Sequence, residues 1–282
     1  LLNKWHKCKV DIKVLKELSK KSDLKGLQHI SIFFGLLVIT GTFAYLTWGT
    51  WWSVFWFLVY GNIYSFSNPL WHETGHKTAF KTNFLNEIFY YISSFMANFE
   101  PIRWRYSHFI HHANTYSTEN PYDHEIEYGN DSKETPKKLI INIIPFLDLL
   151  FFKKHISFEI TQHAFGIKTN VMKESIPENA HAKSVFHSRV FIIIWLAIIL
   201  WSILLQSWLP MLYILLPQYY GKTLHKLVAF TQHAGLARNV KDHRFSSREM
   251  YLNPLLSFLY WKMEYHLTHH MFPTVPSYNL DK

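Results

Sequence analysis

Charge is scarce in this 282-residue sequence: Asp, Glu, Lys and Arg make up 17% of it, against about 25% in ordinary soluble domains. Cysteine is scarcer still. The single Cys8 excludes an internal disulfide and any cysteine-rich zinc or iron–sulfur site, so iron–sulfur electron transfer has to come from another protein. No glycine-rich nucleotide loop is present, which leaves no evident place for a flavin or nicotinamide. Internal repeats and low-complexity tracts are missing too. A cleavable signal is not expected, because the basic start is too long and no small-residue cleavage site follows the apolar run. The net charge of +9 raises nucleic acid as a partner, but no recognisable nucleic-acid module accompanies it and much of the excess sits in one N-terminal block.

What the sequence does have is apolar and aromatic. Hydrophobic residues make up 49% and aromatics 18%, with 11 Trp, 16 Tyr and 23 Phe. Mean hydropathy is near zero only because charge-free stretches alternate with densely charged ones. From Leu27 to His72 there is no Asp, Glu, Lys or Arg, enough for two crossings of a bilayer at about 20 residues each. The turn is expected at Trp48-Gly49-Thr50-Trp51-Trp52, where glycine supplies the bend and tryptophan suits the interface. A second run, Val190 to Tyr220, breaks around Gln206-Ser207-Trp208-Leu209-Pro210, and its outgoing helix is expected to continue past Lys222.

The resulting expectation is an all-α integral membrane protein with four transmembrane helices in two hairpins, near 30–49, 52–71, 189–206 and 208–228. A cytoplasmic helical cap, 72–188 and 229–282, would hold a site for two metals, so that 29–282 forms one domain behind a basic segment, 1–28. Lys4, Lys7, Lys9, Lys13, Lys16, Lys20, Lys21 and Lys25 precede the first span while both outer loops are uncharged, which places the N-terminus inside. These lysines read as an anchoring face near anionic lipid. Ile88–Phe99 and Leu139–Phe152 read as interfacial amphipathic helices.

Of the 18 histidines, eight fall into three clusters: His72 and His76; His108, His111 and His112; and His266, His269 and His270. Spacings of three and four bring imidazoles onto one helical face, and imidazole suits iron, copper, nickel or zinc. The expected topology gathers all three clusters on one membrane face, and His233, in Thr231-Gln232-His233-Ala234-Gly235-Leu236, adds a ninth candidate. The remaining histidines, among them His29, His124, His163, His225 and His243, read as structural, with His225 a candidate supporting contact two turns before His233. His72-Glu73-Thr74-Gly75-His76 also fits the zinc-protease pattern, but a peptidase has no use for two further clusters. A metal transporter or sensor would carry ionisable residues within its spans, and these runs have none.

In this order and spacing the clusters resemble the three histidine boxes of the membrane fatty acid desaturase and hydroxylase superfamily. The flanks agree: His72-Glu73-Thr74-Gly75-His76 is similar to the plant acyl-lipid form H-E-C-G-H, Trp104 through Thr115 resembles the second box in context, and Glu264 through Pro276 the third. The likeness covers roughly residues 30–280. Within the superfamily, Gln232 through Arg244 and Tyr251-Leu252-Asn253-Pro254 resemble a bacterial branch related to rhizopine oxygenases. The resemblance implies a bacterial inner-membrane, non-haem di-iron oxidase with its active site and both termini cytoplasmic. It would bind two iron ions (Fe2+/Fe3+) and use O2 as co-substrate. Electrons would come from a ferredoxin, of Rieske type in that branch, and its reductase. The substrate would be a fatty acyl, lipid or small methylated compound, and the reaction desaturation, hydroxylation or oxidative demethylation. His72, His76, His108, His111, His112, His266, His269 and His270 would be metal ligands, and family precedent for a histidine after the fourth span supports His233. Some acyl-CoA desaturases carry an asparagine four residues earlier; here Ala229 stands there, so any water-mediated contact differs. Supporting carboxylates that would fix imidazole tautomers are sought among Glu73, Glu100, Asp123, Asp242 and Glu264, with Glu73 and Glu264 first.

Overall fold

The computed structural model describes residues 4–6, 8–125, 134–154 and 156–282; Lys7 lies outside them. Every regular element among the described residues is helical. α1 (Ile12–Leu18) and α2 (Asp23–Leu46) start on Asp11 and Ser22, whose side chains accept from Lys13 N and Lys25 N. Gly49, at φ 85°, makes the turn into α3 (Trp51–Ser65), and Phe66 separates α3 from α4 (Ser67–Gly75). α5 (Asn83–Met96), α6 (Pro101–Ala113), α7 (Glu134–Ile143), a 3-10 stretch Leu147–Lys154, α8 (Ile156–Ala164) and α9 (Asn170–Ser175) lead to the long α10 (Glu178–Leu204). The chain then runs through a π-helical turn, Met211–Leu215, and α11 (Pro217–Tyr220) into α12 (Thr223–Thr231), and ends with α13 (His243–Ser246), α14 (Pro254–Leu259) and α15 (His266–Met271).

Among the described residues two helices, α2 and α10, are long and apolar enough to cross a membrane. At about 1.5 Å per residue, the 24 residues of α2 and 27 of α10 exceed a hydrocarbon core of about 30 Å. Their packing is inverted relative to a soluble core helix. α10 turns Ser184, Ser188 and Ser202 inward and leaves Ile193, Leu196, Leu200, Ile203 and Leu204 exposed. Only 22% of its apolar window is buried, and 33% of that of α2. Small residues inward and aliphatics outward is the arrangement that suits helix packing within lipid. α5 repeats it on a smaller scale: Asn86, Ser93 and Ser94 are buried while Phe84, Ile88 and Ile92 are exposed. The expected helix over Leu139–Phe152 is instead divided between α7 and the 3-10 stretch.

The other two expected spans are interrupted. A proline ring clashes with the carbonyl four residues earlier, so Pro69 in the first turn of α4 ends α3 at Ser65. Likewise Pro217 has no N–H for the Tyr213 carbonyl, and the run from 208 to 228 becomes a π-turn and two short helices. Tyrosines from α3 make up the deficit. The Tyr60 and Tyr64 hydroxyls donate to the Tyr213 and Ile214 carbonyls, both at 3.0 Å. Gly61 and Gly221 let these two stretches touch backbone to backbone: a Cβ on Gly221 would stand 2.0 Å from the Gly61 carbonyl carbon. Below, Phe33, Phe66, Leu70, Phe80, Tyr260, Trp261 and Met263 form one buried cluster. It ties α2 and α4 to the C-terminal segment, and so locks the first and third histidine boxes together.

Candidate metal centre

Each box lies at or beside a helix end. His72 is in the last turn of α4 and His76 caps it; His111 and His112 are in the last turn of α6, with His108 one turn earlier; α15 carries the third box; and His233 follows α12. α6 is fixed at its start by Glu100, whose carboxylate accepts from Ile102 N at 3.0 Å and Arg103 N at 2.7 Å. The nine histidines divide into two nests. His72, His76, His108, His112 and His269 form one and His111, His233, His266 and His270 the other, with one ring nitrogen per residue lying within 4.8 Å of its nest-mates. The second and third boxes each contribute to both.

The ring nitrogens meet in too great a number for all of them to be hydrogen-bonding one another. Nε2 of His108 lies 2.9 Å from that of His76 and 3.1 Å from that of His112, which is itself 3.2 Å from that of His269. In the second nest His266 Nε2 lies 2.8 Å from that of His233 and 3.0 Å from that of His270. An imidazole nitrogen offers one proton or one lone pair, so neither His108 nor His266 can bond two such neighbours. The outer nitrogens sharpen the point. His108 Nδ1 donates to Glu125 at 2.9 Å, His111 Nδ1 to Asp123 at 2.8 Å, His233 Nδ1 to the Ser246 carbonyl at 2.7 Å and His270 Nδ1 to Thr115 Oγ1 at 3.1 Å. In a neutral ring whose proton is on Nδ1, the inward Nε2 presents a bare lone pair. His72 is buried with both ring nitrogens unpartnered. Converging lone pairs and an orphaned imidazole fit two metal cations.

Donor spacing bears on which metal. A metal–nitrogen bond of about 2.1 Å sets neighbouring donors about 3.0 Å apart at right angles and about 3.4 Å apart in a tetrahedron. The shortest contacts, 2.8 to 3.2 Å, are compatible with the right angle, while the donors of a nest spread over as much as 4.8 Å. Five imidazoles in the first nest also exceed the four ligands of a closed zinc site. Burial, reinforced by the neighbouring imidazoles, holds His72, His76, His112, His266, His269 and His270 well below the ordinary histidine value, which keeps them neutral and ready to ligate. At His111 burial acts the same way, but the Asp123 carboxylate outweighs it and raises the imidazole to about 9. Burial acts against ionisation of Asp123 in turn, and His111 outweighs it, holding the carboxyl at about 2.

Of the five carboxylates singled out in the sequence, Asp123 alone bonds a nest histidine. Glu73 accepts from Ser277 N at 3.0 Å and, dominated by burial, is pushed up to about 7; it is engaged with the C-terminal segment, away from the role of a protease glutamate. Glu264 accepts from Ser257 Oγ, Glu100 caps α6, and Asp242 caps α13 and pairs with Arg244 at 2.7 Å. Glu125 was not anticipated. Its signal is the alternation Asp123-His124-Glu125, which turns both carboxylates the same way, and Glu125 N donates to Asp123 Oδ1 at 2.9 Å. Among the histidines read as structural, His29 stacks between Phe258 and Trp261 and His163 meets Thr169 Oγ1 at 2.7 Å. His243 comes nearer the centre than expected, its ring 5.0 Å from that of His270 and 4.9 Å from Trp5. His225 packs edge-on to Phe66 and Tyr260.

A cavity of about 120 Å3, lined in part by His72, His108, His111, His233 and His266, reaches both nests. Among curated proteins no match is found. A family model described as "Fatty acid desaturase" matches residues 28–282.

Proposed function

The chain belongs to the fatty acid desaturase family, and on that premise we propose that it is a membrane-bound oxidase whose nine histidines hold two iron ions and which uses O2 to oxidise a C–H bond. The observation that carries this reading is the pair of interleaved imidazole nests, with ring nitrogens converging in each and the Nδ1 of His108, His111, His233 and His270 turned outward to acceptors. Bound iron would supply the oxidising chemistry. The polypeptide does the rest. Asp123 and Glu125 hold the Nδ1 protons of His111 and His108 and thereby fix the tautomer and tilt of each ring, and Thr115 and the Ser246 carbonyl do so for His270 and His233. The small cavity limits water beside the nests.

The topology belongs to the same reading. α2 and α10 cross the bilayer as continuous helices. α3 with α4, and the stretch from Met211 to Thr231, complete two hairpins as interrupted spans, which are tolerated because protein side chains satisfy the freed backbone groups. The lysines ahead of α2 favour a cytoplasmic side for both termini and the nests, and the resemblance to a bacterial branch favours a bacterial inner membrane. Electrons come from a ferredoxin, of Rieske type, and its reductase. Desaturation, hydroxylation and oxidative demethylation share this machinery. The test uses the intact protein expressed with ample iron and purified in lipid discs. It should carry two irons per chain, consume O2 when given ferredoxin and reductase, and lose metal on His269→Ala. Zinc alone, with metal content unchanged in His269→Ala, would refute the assignment.

A further inference from the structure

Gln232 closes α12 and stands directly before His233. Its backbone is held on both sides, because its N–H donates to the Ala229 carbonyl at 3.2 Å and its own carbonyl accepts from Arg248 N at 3.1 Å. The side chain reaches His266, with the carboxamide nitrogen 3.0 Å from Nδ1 of that ring. His233 meets the same ring at its other nitrogen, Nε2 to Nε2 at 2.8 Å. Two consecutive residues therefore address the two nitrogens of one imidazole.

This contact completes a pattern in the second nest. The outer nitrogens of His111, His233 and His270 are taken by Asp123, the Ser246 carbonyl and Thr115, and Gln232 supplies the fourth partner. Burial alone does not bring one: in the first nest Nδ1 of His72, His112 and His269 is buried and unbonded. A carboxamide, unlike a carboxylate or a carbonyl, can meet a ring nitrogen in two ways. Its NH2 donates to a bare Nδ1, which leaves the proton of a neutral ring on the inward Nε2. Turned through half a turn, its oxygen accepts from Nδ1–H instead, and Nε2 is left bare to ligate. The turn gives up little, since the NH2 otherwise meets the Met263 carbonyl at a long 3.5 Å.

We propose that Gln232 is a positioning residue for His266: with its oxygen on Nδ1 it fixes the tautomer and tilt in which Nε2 can bind a metal, and with its NH2 there it favours the tautomer that cannot. It acts through His266, so its loss should be felt in the second nest and spare the first. This rests on the two-metal reading above.

The experiment is a competition for metal in the intact protein, purified in lipid discs, loaded with Fe2+ without oxygen and challenged with rising concentrations of a coloured iron(II) chelator. Gln232→Leu removes the acceptor, whereas Gln232→Glu keeps an acceptor and removes the donor. The leucine variant should release one iron at about 10–100-fold lower chelator concentration than the parent, and the glutamate variant should release it no earlier than the parent. Equal loss in both variants would assign the side chain to packing and overturn the proposal, as would a folded leucine variant that holds both irons with affinity within about twofold of the parent. Double variants identify the nest. Gln232→Leu with Asp123→Asn should still release only one iron early, and Gln232→Leu with Glu125→Gln should release both; the reverse pattern would overturn the proposal. Should Gln232→Leu fail to fold, Gln232→Met, unbranched and of the same length, carries the same expectations. A parent protein that binds fewer than two irons would overturn the two-metal reading itself, which separates that failure from this one.

Discussion

Replacing Asp123 by asparagine tests the coupling between the nests and the groups that orient them. Asp123 is fully buried. One oxygen accepts from His111 Nδ1 and from Tyr116 N, each at 2.8 Å, and the other accepts from Glu125 N at 2.9 Å. A carboxamide has one accepting atom. If that atom faces His111 and Tyr116, the new NH2 meets the Glu125 N–H; if it is turned round, the NH2 meets the His111 Nδ1–H. Either way a buried donor loses its acceptor, at a cost of about 1–3 kcal/mol, and His111 loses its anionic partner. Removing such a partner typically weakens metal binding about 10–100-fold, or about 1.4–2.7 kcal/mol. Asp123→Asn should therefore release the metal of the His111 nest to a competing chelator at correspondingly lower chelator concentration, while the His72 nest holds its metal. Glu125→Gln, acting through His108, should reverse the order of loss. A folded Asp123→Asn protein that retained both metals with affinity within about twofold of the parent would refute the reasoning.

Three further expectations concern the scaffold. Gly221→Ala should cost about 3 kcal/mol of stability and so lower the thermal midpoint in detergent sharply, because the new methyl would meet Gly61 backbone at 2.0 Å. Gly35→Ala, whose Cβ meets nothing within 4 Å, should be neutral or stabilising by up to about 1 kcal/mol; similar midpoints for the two variants would disprove the close contact. Burial, outweighing hydrogen bonds from Ile102 N, Arg103 N and Ser184, raises Glu100 from 4.5 to about 7. Across that interval the unfolded chain gives up a proton that the folded chain keeps, so stability should fall as pH rises, by about 3 kcal/mol in all; midpoints across pH should flatten in Glu100→Gln, and an unchanged slope would count against a perturbed Glu100. Tyr60→Phe should cost about 1 kcal/mol in the same melt through loss of the bond to the Tyr213 carbonyl, and no measurable loss would mean that carbonyl finds another donor.

Local features of the fold could be read from the sequence, while features set by spatial partners could not. The turn at Gly49 announced itself because glycine and tryptophan interrupt a charge-free run, and the boxes announced themselves because three- and four-residue spacings repeat a helical face. The hydropathy that suggested four spans averages over proline, yet Pro69 and Pro217 decide where helices stop, and the tyrosines that repair the second break lie about 150 residues earlier in the chain. The division into nests was hidden for a similar reason. His111 and His112 are adjacent in sequence but about 100° apart around α6, so they fall in different nests, and nothing in the motif says which imidazole stands opposite. Glu73 and Glu264 drew attention by sitting beside boxes, whereas the tautomers are held by Asp123 and Glu125, brought back over α6 by the loop that follows it.

Interleaving of the boxes also bears on how the protein is made. A nascent chain that has not yet produced α15 can assemble four imidazoles of the first nest, His72, His76, His108 and His112, but only His111 and His233 of the second. Four imidazoles make a shell that tetrahedral zinc accepts. The arrival of His269 as a fifth ligand changes that shell, and His266 and His270 create the other nest at the same moment. The third box therefore completes the first nest and supplies half of the second in one short helix.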